Sequence, residues 1–147
     1  GVAAFPDGHP ASLGNFQQDI AVLLEKEKRG ATFATTQFFF SAKKYFDLVN
    51  ELRNQGSSLD VYPGILPITN VAQLKRMAEL SGTEIPSELH SRFTAVEADP
   101  SAVKELGIQV AASLSRELLD GGAPGIHFYT MNSATSTAEV VTRIGLR

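Results

Sequence analysis

The sequence predicts an α/β protein with four parallel strands. Four strand-like apolar runs, at 1–9, 33–40, 59–67 and 126–132, each end in polar or turn-forming residues. Each run is followed by a segment with helical periodicity, and such segments supply the long crossovers that parallel strands need. Two architectures fit this pattern: an open doubly wound sheet, and part of a (β/α)8 barrel, in which each unit takes about 31 residues.

Capping residues and glycines bound the predicted helices. Asn15, with Gln18 three residues later, has the pattern of an N-cap with a capping box, and Gly30 follows at the C-cap position. An insertion of two helices, one short and one long, is predicted before the last strand. The predicted helices begin near Asn15, Ala42, Thr69-Asn70, Ile85-Pro86 and Asp99-Pro100 and after Thr135-Ser136-Thr137, and they end near glycines 30, 56, 82, 121–122 and 145.

The composition is that of an ordinary globular protein, with 43% hydrophobic and 20% charged residues. A net charge of −3 without a basic cluster argues against nucleic acid as a partner. The absence of cysteine excludes thiol nucleophiles and cysteine-ligated metals, and three dispersed histidines do not predict a metal site. No apolar run predicts a membrane span, and we expect a cytoplasmic protein.

Four strands cannot close a barrel, so the two outer strands would expose unpaired apolar edges. In the barrel interpretation we therefore expect all of 1–147 to form one partial barrel domain whose N-terminal half is missing. That half, or a second copy of the chain, would cover the edges, and we expect a homo-oligomer.

The loops and helix starts after the strands contain the candidate site residues, because α/β proteins bind ligands at the carboxyl ends of their strands. His9 follows the first strand, where it can contact a ligand or be an ordinary surface histidine. Asp19 and Lys26 are seven residues apart and so share one helical face, which can reach a ligand or face solvent.

Gln37 lies among phenylalanines, where an unpaired buried amide would cost on the order of 1–3 kcal/mol. It therefore needs a ligand or neighbouring backbone as its partner. The Pro63-Gly64 turn is consistent with a cofactor lying against the main chain, and equally with an ordinary loop. Gln73, one turn into the next helix, is likewise consistent with a ligand contact and with an ordinary structural residue. Tyr129 is predicted to stack on a ligand ring or to lie in the core, and His127 is predicted to pack. A polar segment follows, which is predicted to hold an anion or to cap a helix: Asn132, Ser133, Thr135, Ser136 and Thr137.

Taken together, these segments resemble the methylenetetrahydrofolate reductase family. The resemblance rests on Gly-Val-Ala-Ala-Phe-Pro-x-x-His-Pro at 1–10, Thr36-Gln-Phe-Phe-Phe40, Pro63-Gly-Ile-Leu-Pro-Ile-Thr-Asn70 and His127-Phe-Tyr-Thr-Met-Asn132. It spans the chain in order and spacing. It implies the C-terminal half of a flavoprotein (β/α)8 TIM barrel that passes hydride from NAD(P)H through FAD to 5,10-methylenetetrahydrofolate, yielding 5-methyltetrahydrofolate.

The resemblance also implies roles for individual residues. The expected FAD contacts are His9, Asp19, Lys26 and Phe5, and the expected substrate contacts are Gln37, Gln73, Tyr129 and Ser133. Three positions depart from the family pattern: Phe5 stands where tyrosine is frequent, Ser133 where arginine is frequent, and Met77 where an aromatic is frequent. One extra residue also separates His9 from Asp19.

No catalytic residue is expected in this chain, because the family's proton donor belongs to the first barrel strand. We therefore expect the chain alone to lack reductase activity. A second interpretation is a non-catalytic half-barrel module that self-pairs or docks a partner and binds a nucleotide-like ligand. A third is a phosphate-binding barrel enzyme of another specificity.

Overall fold

The computed structural model of the chain describes residues 1–131 and 134–146. Its four strands form a single parallel sheet in the order β1-β2-β3-β4. This confirms the prediction of four parallel strands with crossover helices, the arrangement of half a (β/α)8 barrel. The strands are β1 (Val2–Ala4), β2 (Phe33–Phe38), β3 (Asp60–Ile65) and β4 (His127–Phe128).

Six helices connect and follow the strands in the described ranges. Two of them form the predicted insertion between the third crossover helix and the last strand. None of the helices described is long and apolar enough to cross a membrane. The helices are α1 (Phe16–Lys28), α2 (Ala42–Asn54), α3 (Val71–Ser81), α4 (Ser87–Ala95), α5 (Pro100–Asp120) and α6 (Ala134–Arg143), with a 3-10 turn at Pro10–Ser12 before α1.

Most helix ends follow the predicted caps. The side chains of Asn15, Asn70 and Asp99 each accept hydrogen bonds from amides in the first turn of the helix that they precede. Gly82 ends α3 with a φ of 71°, a conformation that glycine adopts without steric cost. These ends were predictable because a cap depends on residues three or four positions away.

The last unit differs from its prediction. β4 contains only His127 and Phe128, and α6 begins at Ala134, so Thr135–Thr137 lie inside its first turn rather than before it. His127, which was predicted to pack, is exposed, and its ring lies edge-to-face with that of Tyr129 with centroids 4.9 Å apart. The reason is that β4 is an outer strand of the sheet, with a neighbour on only one side.

One face of the sheet packs against the helices. Ala4, Ala34 and Val61, on three neighbouring strands, are buried in a core that helices α1, α2, α5 and α6 complete. Because side chains alternate along a strand, the intervening residues point to the opposite face. There Ala3 pairs with Thr35, and Thr35 with Tyr62, none of which is buried.

The helical insertion builds a second core over the carboxyl end of β3. Phe93 of α4, fully buried, packs with residues of α3, α5 and the segment after β3. Gly107 allows α5 to approach this segment, because a Cβ at this position would overlap the Ile68 carbonyl group. The insertion is therefore held directly against the β3–α3 connection.

Replacing Gly107 by alanine tests this close approach. Glycine to alanine within a helix usually stabilises a protein by about 0.5–1 kcal/mol. Here we expect the free energy of unfolding to fall by about 1–3 kcal/mol, because the new methyl group overlaps Ile68 backbone atoms. Urea unfolding measures the change, with Ser113→Ala on the exposed side of α5 as control. Increased stability of Gly107→Ala would contradict the packing described.

Candidate functional site

A groove of about 380 Å³ lies at the carboxyl end of β1. It brings together the four residues for which FAD contacts are expected: Phe5, His9, Asp19 and Lys26. The loop after β1 forms one wall, and one face of α1 forms the other. The remaining lining residues are Ala3, Ala4, Ala11, Ser12, Gln18, Val22 and Leu23.

The segment 5–13, termed here the β1–α1 loop, is fixed by the carboxylate of Asp19. Its Oδ2 atom accepts a hydrogen bond from the His9 backbone N–H at 2.9 Å. It also lies 3.0 Å from Ser12 Oγ, whose one proton it shares with the His9 carbonyl oxygen at 2.8 Å. Sequence reasoning proposed Asp19 as a ligand residue and missed its contact with Ser12. No short-range pattern signals this contact, since it depends on how the loop folds back onto α1.

His9 has a defined hydrogen-bonding pattern. Its Nδ1 atom accepts a hydrogen bond from the Ala11 backbone N–H at 3.0 Å, so a neutral ring carries its proton on Nε2. The ring lies edge-to-face with Phe5, with centroids 4.5 Å apart. His9 can therefore offer one N–H donor beside an aromatic surface.

Lys26 provides a cation at the other side of the groove. Its Nζ lies 3.4 Å from the carbonyl oxygen of Ala3, and the side chain is partly exposed. Asp19 and Lys26 both line the groove, as the seven-residue spacing predicts. An ammonium group at this position suits an anionic ligand such as a pyrophosphate.

Gln37 lies on β2 where the pairing with β3 changes register between Thr35 and Phe38. The side chain is half-buried, and its Oε1 accepts a hydrogen bond from the Phe38 backbone N–H at 3.0 Å. Neighbouring backbone thus satisfies the acceptor of the amide. Alternation along β2 places Gln37 on the same face as Thr35, away from the helix-packed core.

A second, smaller cavity of about 90 Å³ brings Gln73 and Tyr129 together. Burial raises the pKa of Tyr129, whose hydroxyl donates to the Thr36 carbonyl oxygen at 3.0 Å. Thr137 also lines this cavity, and its buried Oγ1 has no hydrogen-bond partner in the described part of the chain. The other lining residues are Pro67, Thr69, Thr130, Met131 and Ser136.

Two predicted positions, Asn132 and Ser133, lie outside the described residues. Gln37 lines neither cavity. Across 1–131 and 134–146, no three histidine or acidic side chains are grouped as a metal site would require.

The prediction that Pro63-Gly64 forms a turn or a loop was wrong. Both residues lie within β3. A Cβ at Gly64 would overlap the Thr36 carbonyl oxygen and the ring of Tyr129. The close approach at Gly64 is therefore made by the protein itself.

Comparison with known proteins identifies relatives over nearly the whole chain. A family model described as methylenetetrahydrofolate reductase matches residues 1–145. The probable methylenetetrahydrofolate reductase (NADPH) of Caenorhabditis elegans is 37% identical over 99% of this chain and 22% of its own length. The 5,10-methylenetetrahydrofolate reductase of Salmonella typhimurium is 32% identical over 99% of this chain and 49% of its own length. The chain thus spans between about a fifth and a half of these relatives.

A solved structure has a similar fold. An uncharacterized protein from Clostridium thermocellum, described as binding two copies of 5-methyl-5,6,7,8-tetrahydrofolic acid, superposes with a TM-score of 0.66 at 15% identity. The match covers 96% of this chain and 50% of the clostridial chain.

Removing the Asp19 carboxylate tests whether it fixes the β1–α1 loop. In Asp19→Ala, the His9 amide loses its acceptor, and hydrogen bonds to charged groups contribute about 1.5–3 kcal/mol. We expect its hydrogen exchange to accelerate about tenfold or more, while amides in β3 are unchanged. Gln18→Ala, next to it on α1, is the control. Unchanged protection at His9 would show that the loop does not depend on Asp19.

Proposed function

The chain belongs to the methylenetetrahydrofolate reductase family, and we propose that it forms the C-terminal half of the barrel of a flavin-dependent enzyme of that type. The complete enzyme would reduce 5,10-methylenetetrahydrofolate to 5-methyltetrahydrofolate with NAD(P)H. In this proposal the chain supplies contacts to FAD and to folate. The catalytic acid and the remaining flavin contacts belong to sequence outside this chain.

The observation that carries the proposal is the groove beside β1. Its lining combines an aromatic ring, an imidazole donor and an ammonium group. This donor set fits part of a flavin dinucleotide, which presents a ring system, hydroxyl groups and an anionic pyrophosphate. When bound, the flavin supplies two-electron chemistry between a reduced nicotinamide and the folate.

Each wall of the groove would hold a different part of the dinucleotide. Lys26 would neutralise the pyrophosphate, whose negative charge needs a cation in a partly desolvated groove. His9 would donate through Nε2, because its Nδ1 is engaged by Ala11. Phe5 would contribute apolar packing. Asp19 would act mainly by shaping the loop, since two loop groups already donate to its Oδ2.

Gln37, Gln73 and Tyr129 would contact the folate. The Gln37 acceptor is satisfied by Phe38, which leaves its NH2 group to donate to a pterin or nicotinamide acceptor. Tyr129 is held by its bond to Thr36 and offers the edge and face of its ring. The folate described in the clostridial protein of similar fold supports a pterin-containing ligand here.

Purification of the full-length protein that contains this chain tests the proposal. We expect a yellow protein with flavin absorbance that oxidises NADH or NADPH and converts methylenetetrahydrofolate. Both nucleotides must be compared, because the names of the relatives specify NADPH in the nematode and NADH in Arabidopsis thaliana. A colourless, folded protein that is inert toward both nucleotides and folate would instead favour the non-catalytic half-barrel module.

Replacing Gln37 by alanine tests whether this residue contacts the folate rather than the flavin. We expect the KM for the folate to rise by about tenfold or more, because one hydrogen bond to a ligand contributes about 1 kcal/mol and unpaired groups add to the loss. Flavin retention should not change. Gln55→Ala, at the far end of α2, is the control. Loss of flavin with an unaltered folate KM would overturn the assignment of Gln37.

A further inference from the structure

The β1–α1 loop is held at a second point, at Asp7. Asp7 lies in the turn from Phe5 to Gly8, which is closed by a hydrogen bond from the Gly8 N–H to the Phe5 carbonyl at 3.0 Å. Its Oδ1 lies 2.8 Å from Nζ of Lys44 on α2. Lys44 also contacts Glu84, between α3 and α4, at 2.7 Å. One ammonium group therefore joins three separate parts of the chain.

The carboxylate of Asp7 depends on Lys44 for its compensation. The side chain of Asp7 is only 10% exposed, and its Oδ2 has no hydrogen-bond partner in the part of the chain described. A carboxylate removed from water without a cation carries a large desolvation cost. Hydrogen bonds to the two carboxylates raise the pKa of Lys44, and Asp7 contributes more than Glu84. This shift agrees with the contact between Asp7 and Lys44.

The outer carboxylate contributes differently. Glu84 has a side chain that is 72% exposed, so water can solvate it when Lys44 is absent. Loss of Lys44 therefore affects Asp7 far more than Glu84. The expected response is movement of the Asp7 carboxylate toward water.

Such a movement would be transmitted to the groove. Asp7 lies within the turn that separates Phe5 from His9, whose rings are in edge-to-face contact at 4.5 Å. Gly8, the last residue of this turn, has a φ of 91°, which only glycine adopts readily. Phe5 and His9 each lie two residues from Asp7, so we expect displacement of Asp7 to move both rings.

We propose that Lys44 is a positioning residue for cofactor binding: it does not touch the cofactor but holds the loop that does, through Asp7. This inference rests on the proposed function, in which the groove binds flavin. It assigns a role to a residue on α2, outside the groove lining. The residue acts by keeping a buried negative charge in place.

The test compares two adjacent lysines in the full-length protein. Lys43 pairs with Asp47 on the solvent side of α2, so Lys43→Met makes the same chemical change without touching the loop. We expect Lys44→Met to weaken FAD binding by about tenfold to a hundredfold, and Lys43→Met to leave it unchanged. Equal FAD affinities in Lys44→Met and the unmodified protein would overturn the inference.

Rescue experiments distinguish positioning from a general loss of structure. Lys44→Arg keeps the cation and should retain the affinity and the visible spectrum of the bound flavin. Asp7→Asn added to Lys44→Met removes the uncompensated charge and should restore most of the affinity, even if Lys44→Met alone folds poorly. Failure of both rescues would refute the role of the charge pair. If the unmodified protein binds no FAD, the proposed function itself fails. That outcome is distinct from failure of the inference about Lys44, in which the unmodified protein and Lys44→Met bind FAD equally.

Discussion

Thr36 connects β2 to β3 and to Tyr129, which directly follows β4, at the carboxyl end of the sheet. It is fully buried, its Oγ1 accepts the Gly64 N–H at 2.8 Å, and its carbonyl oxygen accepts the Tyr129 hydroxyl at 3.0 Å. These bonds occur where β2 and β3 change register, and such irregularities redirect side chains next to binding sites. These bonds of Thr36 therefore set the position of Gln37, the next residue along β2. They also require glycine at 64, since any side chain there would displace Thr36 or Tyr129.

The fold was predictable from the sequence where its determinants are local. The four parallel strands and their crossover helices follow from apolar runs alternating with capped helices, and the caps at Asn15, Asn70 and Asp99 involve residues close in sequence. The choice of a half barrel over a doubly wound sheet came from the family resemblance. The length of β4 was not predictable. Its apolar run continues past Phe128, but an outer strand has a neighbour on one side only, and tertiary pairing decides where it ends.

The candidate site was predictable to a similar extent. The resemblance and the strand-end rule selected His9, Asp19 and Lys26, and the structure brings them into one groove. The bond from Ser12 to Asp19 and the contact between Asp7 and Lys44 were not predictable in this way. The second contact joins residues 37 positions apart, and a lysine beside another lysine on an amphipathic helix carries no signal that distinguishes the two. Such contacts depend on packing between elements.

The two carboxylates that hold the β1–α1 loop do so by different physical means. Asp19 lies outside the loop and receives hydrogen bonds from it, so its charge is compensated by neutral donors of the loop. Asp7 lies within the loop, and its charge requires the cation of Lys44. A neutral donor fixes the direction of its hydrogen bond to the carboxylate. An ion pair whose carboxylate is shielded from water makes any displacement that separates the two charges energetically costly. Together they leave Phe5 and His9 lining the groove from a backbone that is restrained at two points.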